Sequence, residues 1–254
     1  MLNELIRIAT KSGEMLKAGY LNRQDLFFKG KIDLVTNYDR EIELYIIDEI
    51  KKIDNDALIV SEEYNCDKDT FQEAYIIDPI DGTTNFVHRF PFCAISIAFY
   101  AKNERFGVVY NPIMEEIFYA QTGKGAFLNG EKIYVDKELK VMNSLIATGF
   151  PYTVVERNSE LIIRMLERVL KNSRGIRRAG SASLDLCYVA KSVFQGYYES
   201  GLKPWDVAAG IVIVEEAGGK ISNLSGGKFS FNDDFIVATN GFIHEELLGI
   251  LNGC

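Results

Sequence analysis

With 254 residues, 47% of them hydrophobic and 25% charged, the chain has the material for a buried core and too much apolar content to remain disordered. A formal charge of −8 repels nucleic acid and anionic membrane, so an anionic ligand needs local positive charge, for which bound divalent cations are the obvious source. Four scattered cysteines (Cys66, Cys93, Cys187, Cys254) without a C-x-x-C pair and an N-terminus without a signal-peptide core point to a cytoplasmic protein, and no apolar run reaches the ~20 residues of a membrane span.

In chain order, Leu2, Leu5, Ile6, Ala9, Met15 and Leu16 recur at helical spacing. After a loop at Lys29-Gly30-Lys31-Ile32-Asp33, Thr36 reads as the N-cap of a second helix carrying Ile42, Leu44, Tyr45, Ile46 and Ile50. Strand patterns follow at 57–60, 74–77, 92–100, 106–110 and 117–120, separated by turn residues at Lys102-Asn103, Asn111-Pro112, Gly123-Lys124-Gly125 and Asn129-Gly130. The first half therefore reads as helices on a mostly antiparallel sheet. From about residue 145 the pattern alternates: strand 144–148, helix 156–170, a strand near Ile176, a helix from Ser181, strand 196–199, helix 205–216, and strands near Lys220 and at 235–238. Such alternation predicts helices layered on a second sheet. The boundary is soft, so we expect one catalytic domain whose halves, about 1–145 and 146–254, share a core and a cleft.

The most informative segment is Ile76-Ile77-Asp78-Pro79-Ile80-Asp81-Gly82-Thr83-Thr84-Asn85-Phe86. A strand is expected to end at Asp78, where Pro79 removes a backbone donor, and Gly82 permits close backbone approach before a helix start that offers free N–H groups to an anion. Asp78 and Asp81, with the Ile80 carbonyl between them, suit hard cations such as Mg²⁺, which take oxygen ligands and leave positions for water and phosphate. Further oxygens are available from Ser61-Glu62-Glu63 and Trp205-Asp206. Taken singly, D-G-T-T is usually a solvated turn, E-E a surface pair and W-D a helix cap; their co-occurrence at strand and helix ends is what suggests a metal nest.

Asp78 to Thr83, continued by T-N-F-V-H-R-F-P, is similar to the metal-binding signature of the inositol monophosphatase family. The second signature of that family resembles Trp205-Asp206-Val207-Ala208-Ala209-Gly210 with Glu216-Ala217-Gly218-Gly219. The resemblance extends to Asp33-Leu34-Val35-Thr36 with Asp39, to Glu62-Glu63, and to Gly180-Ser181-Ala182-Ser183 with Tyr198-Glu199, nearly the whole chain. It implies a layered α-β-α-β-α sandwich and magnesium chemistry with two or three ions. Glu62, Asp78 and the Ile80 carbonyl would hold one ion, Asp78, Asp81 and Asp206 a second, and Glu62 with waters a third. Thr83, paired with Asp33 and Glu62, would orient the attacking water, and the backbone N–H groups of Gly82 and Thr83 would hold the phosphate.

By the same resemblance, Asp81, Gly180, Ser181, Ala182 and Glu199 would contact the rest of the substrate, a phosphorylated polyol, with inositol 1-phosphate the expected one. Fructose 1,6-bisphosphate, a nucleotide 3′-phosphate or NADP are the alternatives within the superfamily, and a non-enzymatic role with RNA or transcription proteins is the alternative outside catalysis. Lithium inhibition and a homodimer are implied as well. The two histidines, His88 and His244, lie near no Ser or Cys pattern of a triad, and His88 reads as a structural residue behind the site. The basic run Lys171, Arg174, Arg177 and Arg178 reads first as solvated surface, with a subunit contact or a second anion site as the other readings.

Overall fold

The computed structural model describes residues 1–21, 26–28, 34–64, 73–150 and 152–253. Helices α1 (Leu2–Leu21) and α2 (Asn37–Ile53) form the first layer. Leu5, Ile8, Ala9 and Leu16 on α1 and Ile42, Ile46 and Ile50 on α2 are fully buried. Their three- and four-residue spacing places each set on one helix face. Those faces pack on a seven-stranded sheet in the order β3 (Ile59–Ser61), β4 (Ala74–Asp81), β5 (Ala94–Tyr100), β6 (Arg105–Asn111), β7 (Glu116–Gln121), β8 (Gly125–Leu128), β9 (Glu131–Ile133). The β3–β4 pair is parallel and the others antiparallel. A short antiparallel pair, β1 (Leu26–Phe28) and β2 (Leu34–Thr36), precedes α2.

The middle layer is α5 (Ala182–Ala190) and α6 (Pro204–Glu216), with every residue of α5 buried and α6 buried continuously from Val207 to Val214. A helix apolar on all sides belongs between two sheets, which explains the long apolar run in the sequence. At Gly107 a Cβ would lie 2.4 Å from the Ala209 carbonyl oxygen, so glycine there lets α6 settle directly on β6. The second sheet runs β11 (Gly175–Arg177), β10 (Leu145–Thr148), β12 (Gly196–Ser200), β14 (Phe235–Thr239), β13 (Lys220–Ser222), with β10 parallel to both neighbours and β12, β14 and β13 antiparallel. Outside it, α4 (Tyr152–Asn172) and α7 (His244–Asn252) complete an α-β-α-β-α sandwich, with Met165, Val169, Tyr198, Val237, Leu247 and Leu251 packed between them.

Three sequence expectations change. The strand expected to end at Asp78 continues to Asp81, because a register irregularity between those residues places Pro79 where no ladder donor is required. Strands β8 and β9 and helix α7 were not anticipated; four and three residues are too short for a strand alternation to show. His88 is not behind the site but exposed in the last turn of α3 (Thr83–His88).

Candidate active site

The end of β4 and the start of α3 form the centre. The Asp78 carboxylate turns back to accept from the Ile80 N–H at 3.0 Å. Gly82 then adopts φ 88°, a left-handed conformation that suits glycine, and begins α3. A Cβ at Gly82 would meet the Phe92 carbonyl at 3.0 Å and the Gly180 carbonyl at 3.1 Å, so the two halves of the chain touch here. Asn85 fastens them, its amide donating to the carbonyls of Phe92 (2.7 Å) and Ala179 (2.8 Å).

Thr83 Oγ1 lies 3.0 Å from both Asp39 Oδ1 and the Ile80 carbonyl. Asp39 is buried on the first turn of α2, where its Oδ2 accepts from the N–H and the hydroxyl of the N-cap Thr36 at 2.7 and 2.6 Å. Among the described residues Thr83 is thus paired with Asp39; the resemblance reading paired it with Asp33 and Glu62, of which Asp33 lies outside the described residues. The signal was present: Asp39 completes an S/T-x-x-D/E capping pattern with Thr36 and sits in the same run.

Two other elements bring carboxylates toward this point, and Asp81 stands at the end of β4 itself. Glu62 follows β3 in a turn held by the fully buried Glu43, which accepts from Ser61 Oγ (2.5 Å) and from the N–H groups of Glu63 and Tyr64 (both 2.9 Å). Sequence reading overlooked Glu43, an acid in the helical core face whose only cue is its place among buried isoleucines. Asp206 is on the first turn of α6, with Oδ2 accepting from the Lys203 N–H at 2.6 Å. Asp81 accepts from Ser181 Oγ at 2.6 Å and from the Ser183 N–H at 2.7 Å, which joins it to the start of α5.

The electrostatics are one-sided. Burial and then Glu62, Asp81, Asp206 and Asp39 push the Asp78 carboxyl well above its ordinary range. Burial and then Asp81 do the same to Asp206, with Glu62 and Glu199 adding to it. Asp81 is also raised by burial, although the Ser181 and Ser183 hydrogen bonds pull it down. No basic side chain is among the groups acting most strongly on these three. Among the described residues, no three acidic, histidine or cysteine side chains converge closely enough to hold an ion as they stand. The donor chemistry nevertheless fits a hard divalent cation: all oxygen and anionic, with Asp78 and Asp81 buried.

Beside the carboxylates lies a second wall. Glu199, on β12, is 8% exposed and accepts from Tyr197 Oη at 2.7 Å. Burial raises its carboxyl to about 7 against the pull of Tyr197 and Arg178. A Cβ on Gly149 would fall 2.0 Å from Glu199 Oε2, so only glycine leaves room for this carboxylate. Gly180 has φ 90°, and a Cβ there would lie 2.7 Å from Arg178 Nη1. The basic run is thereby divided: Lys171 pairs with Glu167 on the surface of α4, while Arg178 faces the Glu199 wall.

Comparison with known proteins agrees with this architecture. The model of the inositol monophosphatase family matches residues 1–254. The chain is 39% identical over 259 residues to a "Nus factor SuhB" of Pasteurella multocida, covering 100% of this chain and 96% of that protein. It is 35% identical over 252 residues to an "Inositol-1-monophosphatase" of Mesorhizobium japonicum, covering 98% and 94%. The solved structure of an IMPase from Thermotoga maritima superposes with a TM-score of 0.90 at 35% identity, over 99% of this chain and 96% of that one. The chain thus belongs to the inositol monophosphatase family and is a phosphatase.

Proposed function

We propose that the protein hydrolyses the phosphate monoester of a small polyol, inositol 1-phosphate in first place, in a reaction that requires Mg²⁺. The observation that carries this reading is the action of Glu62, Asp81 and Asp206 on the buried Asp78 carboxyl, beside the Thr83–Asp39 hydrogen bond. Asp78, Asp81, Asp206, Glu62 and the Ile80 carbonyl would hold the ions. When bound, Mg²⁺ would neutralise phosphate charge, acidify a water and stabilise the leaving alkoxide.

The chain's own groups do the rest. The Thr83 hydroxyl, with its proton directed to Asp39, has lone pairs free to accept from the attacking water and so to orient it. Asp39 in turn is fixed by Thr36, which limits its freedom to turn away. The N–H groups of Gly82 and Thr83, at a helix start without intrahelical acceptors, suit the phosphate oxygens. Glu199 suits the polyol hydroxyls, and Asp81, Gly180, Ser181 and Ala182 complete that wall.

A panel of inositol 1-phosphate, fructose 1,6-bisphosphate, a nucleotide 3′-phosphate and NADP, assayed with Mg²⁺ and again after chelation, tests the reading. Preference for the inositol ester, lost on chelation, supports it; full turnover in chelator sinks it. Inhibition by Li⁺ and a dimer mass by light scattering belong to the same proposal and are checked by a Li⁺ dose series and by a mass other than 28.6 kDa.

A further inference from the structure

At the end of the seven-stranded sheet away from the carboxylates lies a second concavity. The β4–β5 ladder pairs Asp81 with Ala94 and Ala74 with Tyr100, so Tyr100 stands about 20 Å from Asp81 along the strands at ~3.3 Å per residue. There a cavity of about 600 Å³ opens between the β5–β6 turn, the later turns of α6 and the loop joining β13 to β14. That volume suits a small organic ligand. The chemistry described above makes no use of it.

Its wall is aromatic. Tyr100, Phe229 and Phe231 are half-buried and line the cavity. Phe231 lies 5.6 Å from Tyr100 and 6.1 Å from Phe229 between ring centroids, inclined at 62° and 88°, and Tyr100 Oη donates to the Ala208 carbonyl at 3.0 Å. The loop that carries the two phenylalanines is fixed on both sides. Asn223 Oδ1 accepts from the N–H groups of Ser225 (3.2 Å) and Gly227 (3.0 Å), and Asp233 Oδ2 accepts from the Ser230 N–H at 2.7 Å. A loop held in this way loses little further freedom when a ligand binds.

Its rim is basic. Three basic and two acidic residues line the cavity, in a chain whose net charge is −8. Both acids are engaged: Glu215 Oε2 lies 2.8 Å from Arg105 Nη1, and Glu104 accepts from Gln121 Nε2 at 2.9 Å. Arg105 in turn has its Cζ 5.7 Å from the Tyr100 ring centroid. Lys102 and Lys228 are exposed, one on each loop, and neither forms an ion pair among the described residues.

We propose that this cavity binds a nucleoside monophosphate, with the base against Phe229 and Phe231 and the phosphate at Lys102 and Lys228. Every base has a π-face to lay on an aromatic wall. A phosphate monoester is close to dianionic at pH 7 and so matches two ammonium charges, where a carboxylate matches one. Ser230 and Asn103, also in the lining, offer a hydroxyl and an amide to the ribose. A polyol phosphate has no ring for the aromatic wall, so this cavity differs from the carboxylate centre in ligand as well as in place.

The test is a titration of the whole ¹⁵N-labelled chain with AMP in EDTA, which removes the divalent ions and with them any turnover. Saturable shifts are expected at the amides of residues 102–105 and 228–231, with Gly82 and Thr83 unmoved and no displacement by inositol 1-phosphate. Adenosine and inorganic phosphate should each bind about ten-fold more weakly than AMP, or worse. Phe231→Leu, and Lys102→Gln with Lys228→Gln, should each raise the dissociation constant for AMP about ten-fold, while Asp78→Asn leaves it unchanged. The absence of saturable shifts up to about 5 mM AMP overturns the proposal, as do shifts centred on Gly82 and Thr83. An AMP affinity that survives loss of both lysines overturns it too, and since both side chains are exposed, that protein keeps the parent fold even if Phe231→Leu does not.

Discussion

Thr83 Oγ1 and Asp39 Oδ1 lie 3.0 Å apart although 44 residues separate them in the chain, and the same Asp39 caps the helix on which it sits. One side chain thus serves the stability of α2 and the orientation of a hydroxyl at the centre of the site. The two roles separate by mutation. Asp39→Asn replaces one acceptor by a donor and should lower kcat about 10²- to 10³-fold while costing about 1 kcal/mol of stability. Thr36→Ala should show a similar stability loss with kcat within about three-fold. Equal kinetic loss in both variants would show that Asp39 acts only through the cap.

Asp78→Asn and Asp206→Asn each remove an anionic oxygen from the proposed ion site and should abolish Mg²⁺-dependent turnover. A second readout follows from repulsion among the buried acids. Added Mg²⁺ should raise the thermal midpoint of the parent, since a ligand that binds only the folded state stabilises it, and should raise those of the two variants much less. Equal shifts in all three proteins would place the cation elsewhere.

Glu199→Gln should lower kcat/KM for inositol 1-phosphate roughly ten- to hundred-fold by losing charge-assisted hydrogen bonds of about 1.5–3 kcal/mol, with little change for an aryl phosphate. Gly149→Ala should reproduce the same selective loss, because the added methyl occupies the space of the Glu199 carboxylate. A Gly149→Ala enzyme with parental kinetics on both substrates would refute that steric argument.

His244 supplies a prediction about stability alone. It is fully buried, with Nδ1 2.9 Å from Thr239 Oγ1 and Nε2 2.8 Å from Ser222 Oγ. Burial, with Lys220 nearby, lowers its pKa from 6.5 to about 4. The unfolded chain therefore takes up the proton first. The contribution is complete above pH 6.5 and is lost as pH falls toward 4, by about 2–3 kcal/mol. Urea midpoints at pH 7.5 and 4.5 should differ more for the parent than for His244→Gln; equal differences would exclude His244 as the titrating group.

Much of this protein was legible as sequence wherever the physics is local. Thr36 and Asp39 form a capping box because the spacing of three residues brings side chain and backbone together in any helix start. Asp78 and Asp81 lie together because only Pro79 and Ile80 separate them on one strand. Facing stripes such as Leu5, Ile8 and Leu16 follow from the helical period, and the resemblance of the two motifs carried the layered fold.

Tertiary structure decided what depends on contacts between distant segments. That Thr83 meets Asp39, that Gly149 exists to clear Glu199, and that Asn85 binds the Ala179 carbonyl are relations across 44, 50 and 94 residues, which no local period encodes. The same is true of charge. As sequence, Glu43 and Asp185 are acids like any other; burial makes one the anchor of the Glu62 turn and leaves the other with an oxygen that has no hydrogen-bond partner. Desolvation, which governs how those carboxyls behave, is a property of the packed layers and not of neighbours in the chain.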